Sequence, residues 1–317
     1  MLPIEVLLHV ARILCALTVV TSISLVTHQR MLDRKMKKFW PGKNVILTGC
    51  SSGIGREMAL MLADLGANVV LVARRGGLLE KVAQECRDRI KARGHSTKVV
   101  PVQADQGVAE DCERIVQTCI STFGGVDVLA LDAAAQMYAY YEDHPDPIKT
   151  AREIMEVNYF GALRLFHLSL GSLKARHGTL LQVSSLAGKA GTPYTTFYAA
   201  SKAALSALYD ALRFECEGKI NFCVAYPGFI ATAAALRHQG EDRIGEAMHP
   251  LVCARKCLET AAAGYDDRYL PLVGKLLLPL KHFLPSVFKA GVRSRMPSRE
   301  QHKRVEALWL ARHPETQ

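Results

Sequence analysis

Three side chains in the second half of the chain are of the types that move a proton to and from an oxygen atom. Tyr198 and Lys202 are four residues apart, so a helix places them on one face. A neighbouring ammonium stabilises tyrosinate and lowers the phenol pKa from about 10, so the tyrosine can exchange a proton with an alcohol or carbonyl oxygen. Ser185 lies upstream and would hold that oxygen. Because a helical Tyr–Lys pair alone usually reflects packing, this interpretation needs a hydride carrier nearby.

A glycine-rich segment with the sequence TGCSSGIG occupies residues 48–55, directly after an apolar run. Gly49 permits a sharp turn, while Gly53 and Gly55 let the backbone approach a pyrophosphate at the start of a helix. Glycines at these positions, where a strand turns sharply into a helix, predict a dinucleotide-binding site. The expected contacts are Gly49, Ser51, Ser52, Gly53, Ile54 and Gly55.

The residue type at the end of the second strand distinguishes NAD from NADP. An acid there would bind the adenosine ribose, whereas this strand ends in Arg74 and Arg75. A guanidinium suits a 2′-phosphate, so NADP(H) is favoured over NAD(H), although one arginine can be a solvated loop charge. Asp105 follows the third strand, where it can bind the adenine amino group or be a solvated turn acid.

Apolar strands alternate with amphipathic helices along the body of the chain. This pattern predicts an α/β fold: one doubly wound parallel sheet of the Rossmann type, in a single domain spanning 41–272, preceded by an N-terminal membrane segment. Strands are predicted at 44–48, 68–73, 98–103, 126–131, 180–183 and 220–225, with a possible edge strand at 269–273. Helices are predicted at 54–65, 78–92, 108–123, 150–175, 198–217 and 251–263.

Residues 1–40 are interpreted as a membrane anchor with a basic flank. The apolar stretch 2–27 is interrupted by Glu5, His9 and Arg12, and the uninterrupted run 13–27 is about 22 Å long against a hydrocarbon core of about 30 Å. The whole stretch 2–27 crosses the membrane if these three polar residues, which share one helical face, are tolerated there. An interfacial helix is the alternative. The basic flank places the body in the cytosol, with a lumenal body as the alternative.

Charge is concentrated at the two ends of the chain. The formal net charge is +10, while residues 41–280 are nearly neutral, which argues against a nucleic-acid-binding body. Basic ends beside apolar segments suit an anionic membrane surface, and the segment 273–317 is interpreted as membrane-associated with a basic tail, core packing or a dimer contact being the alternative. The nine cysteines show no metal-binding spacing and are expected to be buried, reduced thiols.

The motifs together resemble those of the short-chain dehydrogenase/reductase superfamily. TGCSSGIG is similar to its T-G-x-x-x-G-x-G motif and YAASK to its Y-x-x-x-K motif, and the resemblance covers about 42–235. It implies catalytic roles for Ser185, Tyr198 and Lys202, with the lysine also binding the nicotinamide ribose. It also implies that Asn158 supports a proton-relay water, that Pro227, Ile230 and Thr232 lie near the nicotinamide, and that a homodimer forms through helices 150–175 and 198–217.

Local sequences and the N-terminal segment are similar to the 11-beta-hydroxysteroid dehydrogenase-like branch, with three departures. Asp132 stands where the family has an asparagine near the cofactor, so a carboxylate either repels phosphate or is bound locally. Ser52 stands where some NADP-binding relatives have a lysine, so Arg74 and Arg75 must supply the phosphate-binding charge. The flanking charges predict a cytosolic body, whereas the steroid enzyme of this branch has a lumenal one.

The function expected from these residues is a membrane-attached, NADP(H)-dependent oxidoreductase. It would interconvert a hydroxyl and a ketone on a lipophilic substrate, a steroid first and then a retinoid or other lipid carbonyl, at the endoplasmic reticulum membrane. The segment 233–250, with its small residues 233–235, would cover the substrate. The alternative is a catalytically silent cofactor-binding membrane protein that acts through partners.

Overall fold

The computed structural model describes residues 4–239 and 241–312, with side chains described at 18, 20–233, 235–237 and 244–307. Seven parallel strands form one sheet in the order β3-β2-β1-β4-β5-β6-β7, which confirms the predicted doubly wound sheet. The edge strand ends at Leu270, so its predicted extension to residue 273 was wrong. The strands are β1 (Asn44–Thr48), β2 (Asn68–Ala73), β3 (Val99–Gln103), β4 (Val128–Leu131), β5 (Thr179–Val183), β6 (Asn221–Pro227) and β7 (Asp267–Leu270).

Helices cover both faces of the sheet. The helix predicted over 150–175 is divided by a π-helical turn, Glu156–Gly161. The helices are α1 (Ile4–Phe39), α2 (Gly53–Asp64), α3 (Gly76–Arg93), α4 (Ala109–Phe123), α5 (Pro147–Met155), α6 (Ala162–Ala175), α7 (Thr196–Glu215), α8 (Ala233–Gln239), α9 (Pro250–Ala263), α10 (Val273–Phe283), α11 (Pro285–Arg295) and α12 (Arg299–Arg312).

Two hydrophobic clusters explain why the central strands are apolar on both sides. Successive side chains of a strand point to opposite faces, so Val45 and Leu47 of β1 join the cluster with α2, α3 and α9, while Ile46 joins the cluster with α4, α6 and α7. The eight cysteines whose side chains are described are buried free thiols, as expected. The chain order reverses between β1 and β4, where the carboxyl ends of the strands open a crevice for a ligand.

The carboxyl-terminal half of α1 packs on the body rather than standing away from it. Leu32, Met36 and Trp40 are buried, and Asp33 forms an ion pair with Arg255 of α9. The basic flank assigned to the anchor is therefore also part of the packed α/β body. Within the described part of the chain, no helix has both the length and the hydropathy required to cross a membrane. The N-terminal membrane segment stays a prediction.

The chain after β7 forms a helical cap, residues 273–307, over one end of the cavity described below. Its last helix, α12, belongs to the predicted basic tail and docks on the body of the chain. His302 is buried and stacks on Tyr194 with the ring centroids 4.2 Å apart. Arg299 pairs with Glu142 and Asp143, so basic side chains of this segment are used to dock it.

Candidate functional site

The first turn of α7 and the loop after β5 bring the predicted proton-transfer groups together. The Tyr198 hydroxyl forms hydrogen bonds with the side chains of Ser185 and Gln136. The Lys202 amine lies 5.7 Å from the centroid of the Tyr198 ring and donates to the carbonyl oxygen of Val183 at 3.1 Å. Because the helix starts at Thr196, both side chains project from its first two turns towards the carboxyl edge of the sheet.

Burial controls the ionisation of both α7 groups. It lowers the pKa of Lys202 to about 8, against the opposing charge of Asp132, because an ammonium is costly to desolvate. Burial raises the pKa of Tyr198, which outweighs its hydrogen bonds with Ser185 and Gln136. The expected lowering of this phenol pKa by the amine is therefore not found. The raised pKa keeps Tyr198 protonated at neutral pH.

The glycine segment forms a turn that side chains would block. Gly49 has φ +80°, and a Cβ there would lie 2.8 Å from the amide nitrogen of Ala133. A Cβ on Gly55 would collide with the carbonyl oxygen of Gly49 and lie 2.8 Å from a carboxylate oxygen of Asp132. Gly53, with φ +60°, opens α2 and faces the Thr232 side chain. The turn thus exposes backbone at a helix N-terminus, which fits a pyrophosphate.

The two arginines after β2 have different surroundings. The Arg75 guanidinium donates to Ser51 Oγ at 2.8 Å and to Ser52 Oγ at 2.7 Å, which places a positive charge on the glycine turn. Arg74 is mostly exposed, and its Nη1 lies 3.5 Å from Asp105 Oδ2. All five side chains border the same cavity, so two cations, two hydroxyls and a carboxylate are available to an adenosine ribose and its phosphate.

Asp132 follows β4 and is half-buried on the same cavity wall. Its carboxylate accepts a hydrogen bond from the backbone N–H of Gly55, and its own N–H donates to Thr48 Oγ1 at 3.2 Å. Burial raises the pKa of Asp132 to about 7, while the Lys202 charge acts in the opposite direction. This carboxylate is therefore bound to the glycine turn, which was one of the two expectations for it.

Asn158 lies in the π-helical turn, buried, and connects two parts of the site. Its Oδ1 accepts from the backbone N–H of Ala135 at 2.7 Å, and its Nδ2 donates to the Ala135 carbonyl and to Ser201 Oγ, both at 2.9 Å. The side chain thus fixes the loop after β4 against α7. Its implied role in a proton relay stays a prediction.

The segment after β6 reaches the far side of the glycine turn. Pro227, Ile230 and Thr232 border the cavity, and a Cβ on Gly53 would lie 3.2 Å from Thr232 Cγ2. Ile230 is buried and pairs as an isolated bridge with Met248. The structure therefore places the residues that were expected near the nicotinamide next to the glycine turn.

One cavity of about 1150 Å³ joins the proton-transfer groups, the glycine turn and the cap. Sequence reasoning missed two polar residues on its wall: Gln136, which contacts the Tyr198 hydroxyl, and Tyr138, whose hydroxyl donates to Gln136 Oε1 at 3.0 Å. It also missed which cap residues line the cavity, because the position of α10 and α11 over the sheet is set by tertiary packing. Those residues are Gly274, Leu277, Leu278, Phe288, Val292, Arg295 and Met296.

The Rossmann-type sheet, the glycine turn and the Ser–Tyr–Lys arrangement define a dinucleotide-binding oxidoreductase fold, and comparison with known proteins agrees. The family model described as short chain dehydrogenase matches residues 43–242. The chain belongs to this family. Its relatives place it in the 11-beta-hydroxysteroid dehydrogenase-like branch.

Two relatives illustrate the extent of the similarity. The Arabidopsis thaliana 11-beta-hydroxysteroid dehydrogenase-like 4A is 38% identical over 189 residues, which is 60% of this chain and 61% of that protein. The Xenopus laevis hydroxysteroid 11-beta-dehydrogenase 1-like protein B is 29% identical over 252 residues, 78% of this chain and 84% of that protein.

Two solved structures share the fold. An alcohol dehydrogenase from the archaeon Thermococcus sibiricus, complexed with 5-hydroxy-NADP, has a TM-score of 0.63 at 27% identity and covers 72% of this chain and 94% of its own. A 7 alpha-hydroxysteroid dehydrogenase complexed with NADH and 7-oxo glycochenodeoxycholic acid has a TM-score of 0.65 at 25% identity, covering 73% and 93%. These two neighbours therefore hold different nicotinamide cofactors.

Proposed function

We propose that this protein is an NADP(H)-dependent oxidoreductase that interconverts a hydroxyl and a ketone on a lipophilic substrate. The observation that carries the proposal is the hydrogen-bonded pair of Ser185 and Tyr198, with the Lys202 amine beside it, on the wall of the cavity that also contains the glycine turn. A bound nicotinamide dinucleotide would supply or accept the hydride.

The side chains of this chain would manage the proton and the oxygen. In the reducing direction, Tyr198 O–H donates its proton to the carbonyl oxygen, and the Ser185 hydroxyl holds that oxygen in place. The Lys202 ammonium stabilises the phenolate that remains. The Tyr198 phenol is protonated at neutral pH, so it is ready to act as the donor. In the oxidising direction, the ionised Tyr198 phenolate accepts the proton of the alcohol, so this direction is favoured as the pH rises and the phenol loses its proton.

NADP(H) is proposed over NAD(H) because of Arg75. Its guanidinium, held by Ser51 and Ser52, presents a fixed positive charge beside the turn, and a 2′-phosphate is the part of NADP that would use it. Asp105, a carboxylate on the same cavity wall, is paired with Arg74.

A lipophilic substrate is proposed because the cap lines the cavity with apolar side chains. Leu277, Leu278, Phe288 and Val292 face it from α10 and α11, and Ala233 and Ala235 border it from α8. These side chains give the cap end of the cavity an apolar lining. The names of the relatives make a steroid the first candidate, followed by a retinoid or another lipid carbonyl.

Attachment to the endoplasmic reticulum membrane, with the body in the cytosol, is part of the same proposal. Apolar side chains are exposed on α1, including Val20 and Leu25, and on the cap, including Leu276. Residues 268–299 contain no acidic residue, so the cap surface is basic as well as apolar. Protection of the body from protease in sealed microsomes would instead indicate a lumenal body.

A homodimer through α5 to α7 is proposed from apolar side chains that these helices leave exposed. Phe214 is 83% exposed on α7, and Ile148, Phe160 and Leu168 are exposed on the segment 147–175. Burial of such side chains against a second copy would be favourable. Sedimentation of the detergent-solubilised protein would show the dimer mass, or the monomer mass if the proposal is wrong.

The test of the proposed activity is a panel of steroid, retinoid and aliphatic ketones with NADPH, repeated with NADH. Tyr198→Phe is expected to lower kcat by about 10²–10⁴-fold, because the phenyl ring cannot donate a proton, while leaving NADPH binding intact. Retained turnover in this variant would contradict the role of Tyr198. Absence of turnover by the unmodified protein across the panel would favour the catalytically silent, partner-dependent alternative.

A further inference from the structure

The carboxylate of Asp132 lies beside the glycine turn, on the wall of the cavity that Lys202 also borders. It accepts from the Gly55 N–H in the first turn of α2, and one of its oxygens is only 2.8 Å from where a Gly55 Cβ would be. Thr48 Oγ1 holds the backbone of this segment by accepting from Asp132 and Ala133 at 3.2 and 3.1 Å. The acid is thus fixed at the turn that would bind the pyrophosphate.

The same carboxylate acts on the ionisable groups of α7. Lys202 is 1% exposed, and its amine donates to a neutral carbonyl, Val183 O. The charge that favours its ammonium form comes from Asp132, and this charge also disfavours the tyrosinate form of Tyr198. A single acid therefore contacts the cofactor turn and influences both proton-transfer groups.

Two thiols complete the set of titratable groups that the Asp132 charge affects. Cys50 comes from the glycine segment and Cys257 from α9, and burial is among the causes that raise the pKa of each. Both stay neutral thiols near neutral pH, so they add no charge to this region. The ionisations that matter between pH 6 and 8.5 are those of Asp132 and Lys202.

We propose that Asp132 is a positioning residue that joins the glycine turn to the catalytic amine and makes dinucleotide affinity depend on its own protonation. The inference rests on the proposed binding of NADP(H). When Asp132 is charged, it disfavours a phosphate beside Gly55; when it is protonated, this repulsion is removed and the Lys202 charge acts unopposed on the anionic ligand.

The pH dependence has a definite sign. Burial raises the pKa of this carboxyl to about 7, so the group is mostly neutral at pH 6 and mostly charged at pH 8. Affinity for NADPH is therefore expected to fall as pH rises through this range. The effect belongs to this chain, because an asparagine at position 132 could accept from Gly55 without ever carrying a charge.

The experiment measures the Kd of NADPH by fluorescence at pH 6 to 8.5 for the unmodified protein and for Asp132→Asn. The ratio of the two Kd values cancels the titration of NADPH itself. We expect the Kd of the unmodified protein divided by the Kd of Asp132→Asn to rise by about three- to tenfold between pH 6 and pH 8. A ratio that is constant with pH overturns the proposal.

Asp210→Asn is the matched control. It removes one negative charge from α7, the helix of Tyr198 and Lys202, but its carboxylate is half-exposed and pairs with Arg213. Its Kd ratio to the unmodified protein should not vary with pH. If Asp132→Asn does not fold, Asp132→Ser removes the same charge and keeps an oxygen for the Gly55 N–H.

A second readout uses turnover and separates the two proposals. Because the Asp132 charge raises the pKa of Tyr198, Asp132→Asn should move the rise of alcohol oxidation with pH to lower pH. An unmoved rise together with a constant Kd ratio overturns the inference while leaving the oxidoreductase proposal intact. A protein without turnover whose Kd ratio still changes with pH supports the inference and contradicts the oxidoreductase proposal alone.

Discussion

The sheet and the cap border the same cavity but are held in opposite ways. Every residue of β1, β4 and β5 is buried, and Gly49 and Gly55 of the glycine turn lie against backbone atoms of Ala133 and of the turn itself. In contrast, α10 and α11 contain no buried residue, and Phe283 of α10 is 82% exposed. The part that would bind the cofactor is therefore built into the core, whereas the part that would bind the substrate lies on its surface.

This difference separates the geometry of the proton-transfer groups from the substrate preference of the site. The proton-transfer groups are positioned by the core, so their geometry does not depend on what occupies the cap. The cap can change its lining residues without disturbing the sheet, because few core contacts would be lost. Chemistry should therefore respond to changes in the sheet region, and substrate preference to changes in the cap.

The largest effect on stability is expected at Glu259, the buried acid that joins α9 to its surroundings. It is 1% exposed, and its carboxylate accepts hydrogen bonds from Arg255 Nε at 3.1 Å, Arg268 Nη2 at 3.0 Å and Gln29 Nε2 at 2.9 Å. Glu259→Ala leaves the mostly buried Arg268 without its counter-charge, whereas Arg255 keeps Asp33, and the expected loss is about 3 kcal/mol of unfolding free energy. Thermal unfolding measures it.

Glu80→Ala is the control for that substitution. Glu80 is exposed and pairs with Arg87 at 2.7 Å, so its loss should cost less than about 1 kcal/mol. Similar melting temperatures for the two variants would show that the Glu259 cluster does not contribute to the rigidity of the sheet region.

The next effect is expected at the glycine turn. Gly55→Ala places a methyl group against the Gly49 carbonyl and the Asp132 carboxylate, so the backbone must move out of its cofactor-binding shape. NADPH affinity should fall by more than about tenfold, measured by fluorescence titration. Gly77→Ala, which has nothing within 4 Å of its added Cβ, should bind NADPH as the unmodified protein does. Equal affinities would contradict the assignment of the turn.

The contrast between the regions also explains what could be predicted from sequence. The strands were predictable because both faces are buried, which demands continuous apolar runs such as those of β1 and β5. The glycine turn and the Tyr198–Lys202 pair were predictable because their spacing is set by local geometry. Gln136 was not, because it reaches Tyr198 from an irregular loop whose path depends on Asn158.

Two further features depend on distant parts of the chain. Glu259 is a charged residue on the buried side of an amphipathic helix, and its role is visible only when Gln29 and Arg268 are brought to it. The docking of α12 depends on Asp143 and Tyr194, which are more than a hundred residues away in sequence. The basic composition of this segment therefore does not predict how it docks.

A smaller effect, confined to substrate binding, is expected in the cap. Phe288 lines the cavity and Phe283 does not, although both are phenylalanines of the same helical pair. Phe288→Ala should raise the KM for a lipophilic ketone by about tenfold with little change in melting temperature, because an apolar contact of roughly 1.5–3 kcal/mol is lost. Phe283→Ala should keep that KM and instead weaken binding to anionic lipid vesicles. The reverse result would place Phe283 in the substrate site.

The smallest effect is expected from acidification of the α12 contact. Burial lowers the pKa of His302 below its ordinary value, with the charges of Glu306 and Asp143 acting in the opposite direction. The neutral ring is thus favoured while it is stacked on Tyr194. Its contribution to docking is complete above about pH 6.5 and decreases as the pH falls below that value.

Hydrogen exchange of the α12 amides, compared between pH 7.5 and 5.5 after correction for intrinsic rates, measures this change. Arg299 lowers the pKa of Asp143, so that carboxylate stays charged throughout the range and the ion pairs remain. The unmodified protein should therefore lose a modest part of its α12 protection at pH 5.5. His302→Phe retains an aromatic ring for Tyr194 and cannot be protonated, so its protection should not change with pH. Equal losses in both proteins would assign the acid sensitivity to another group and leave the cap attached by its ion pairs alone.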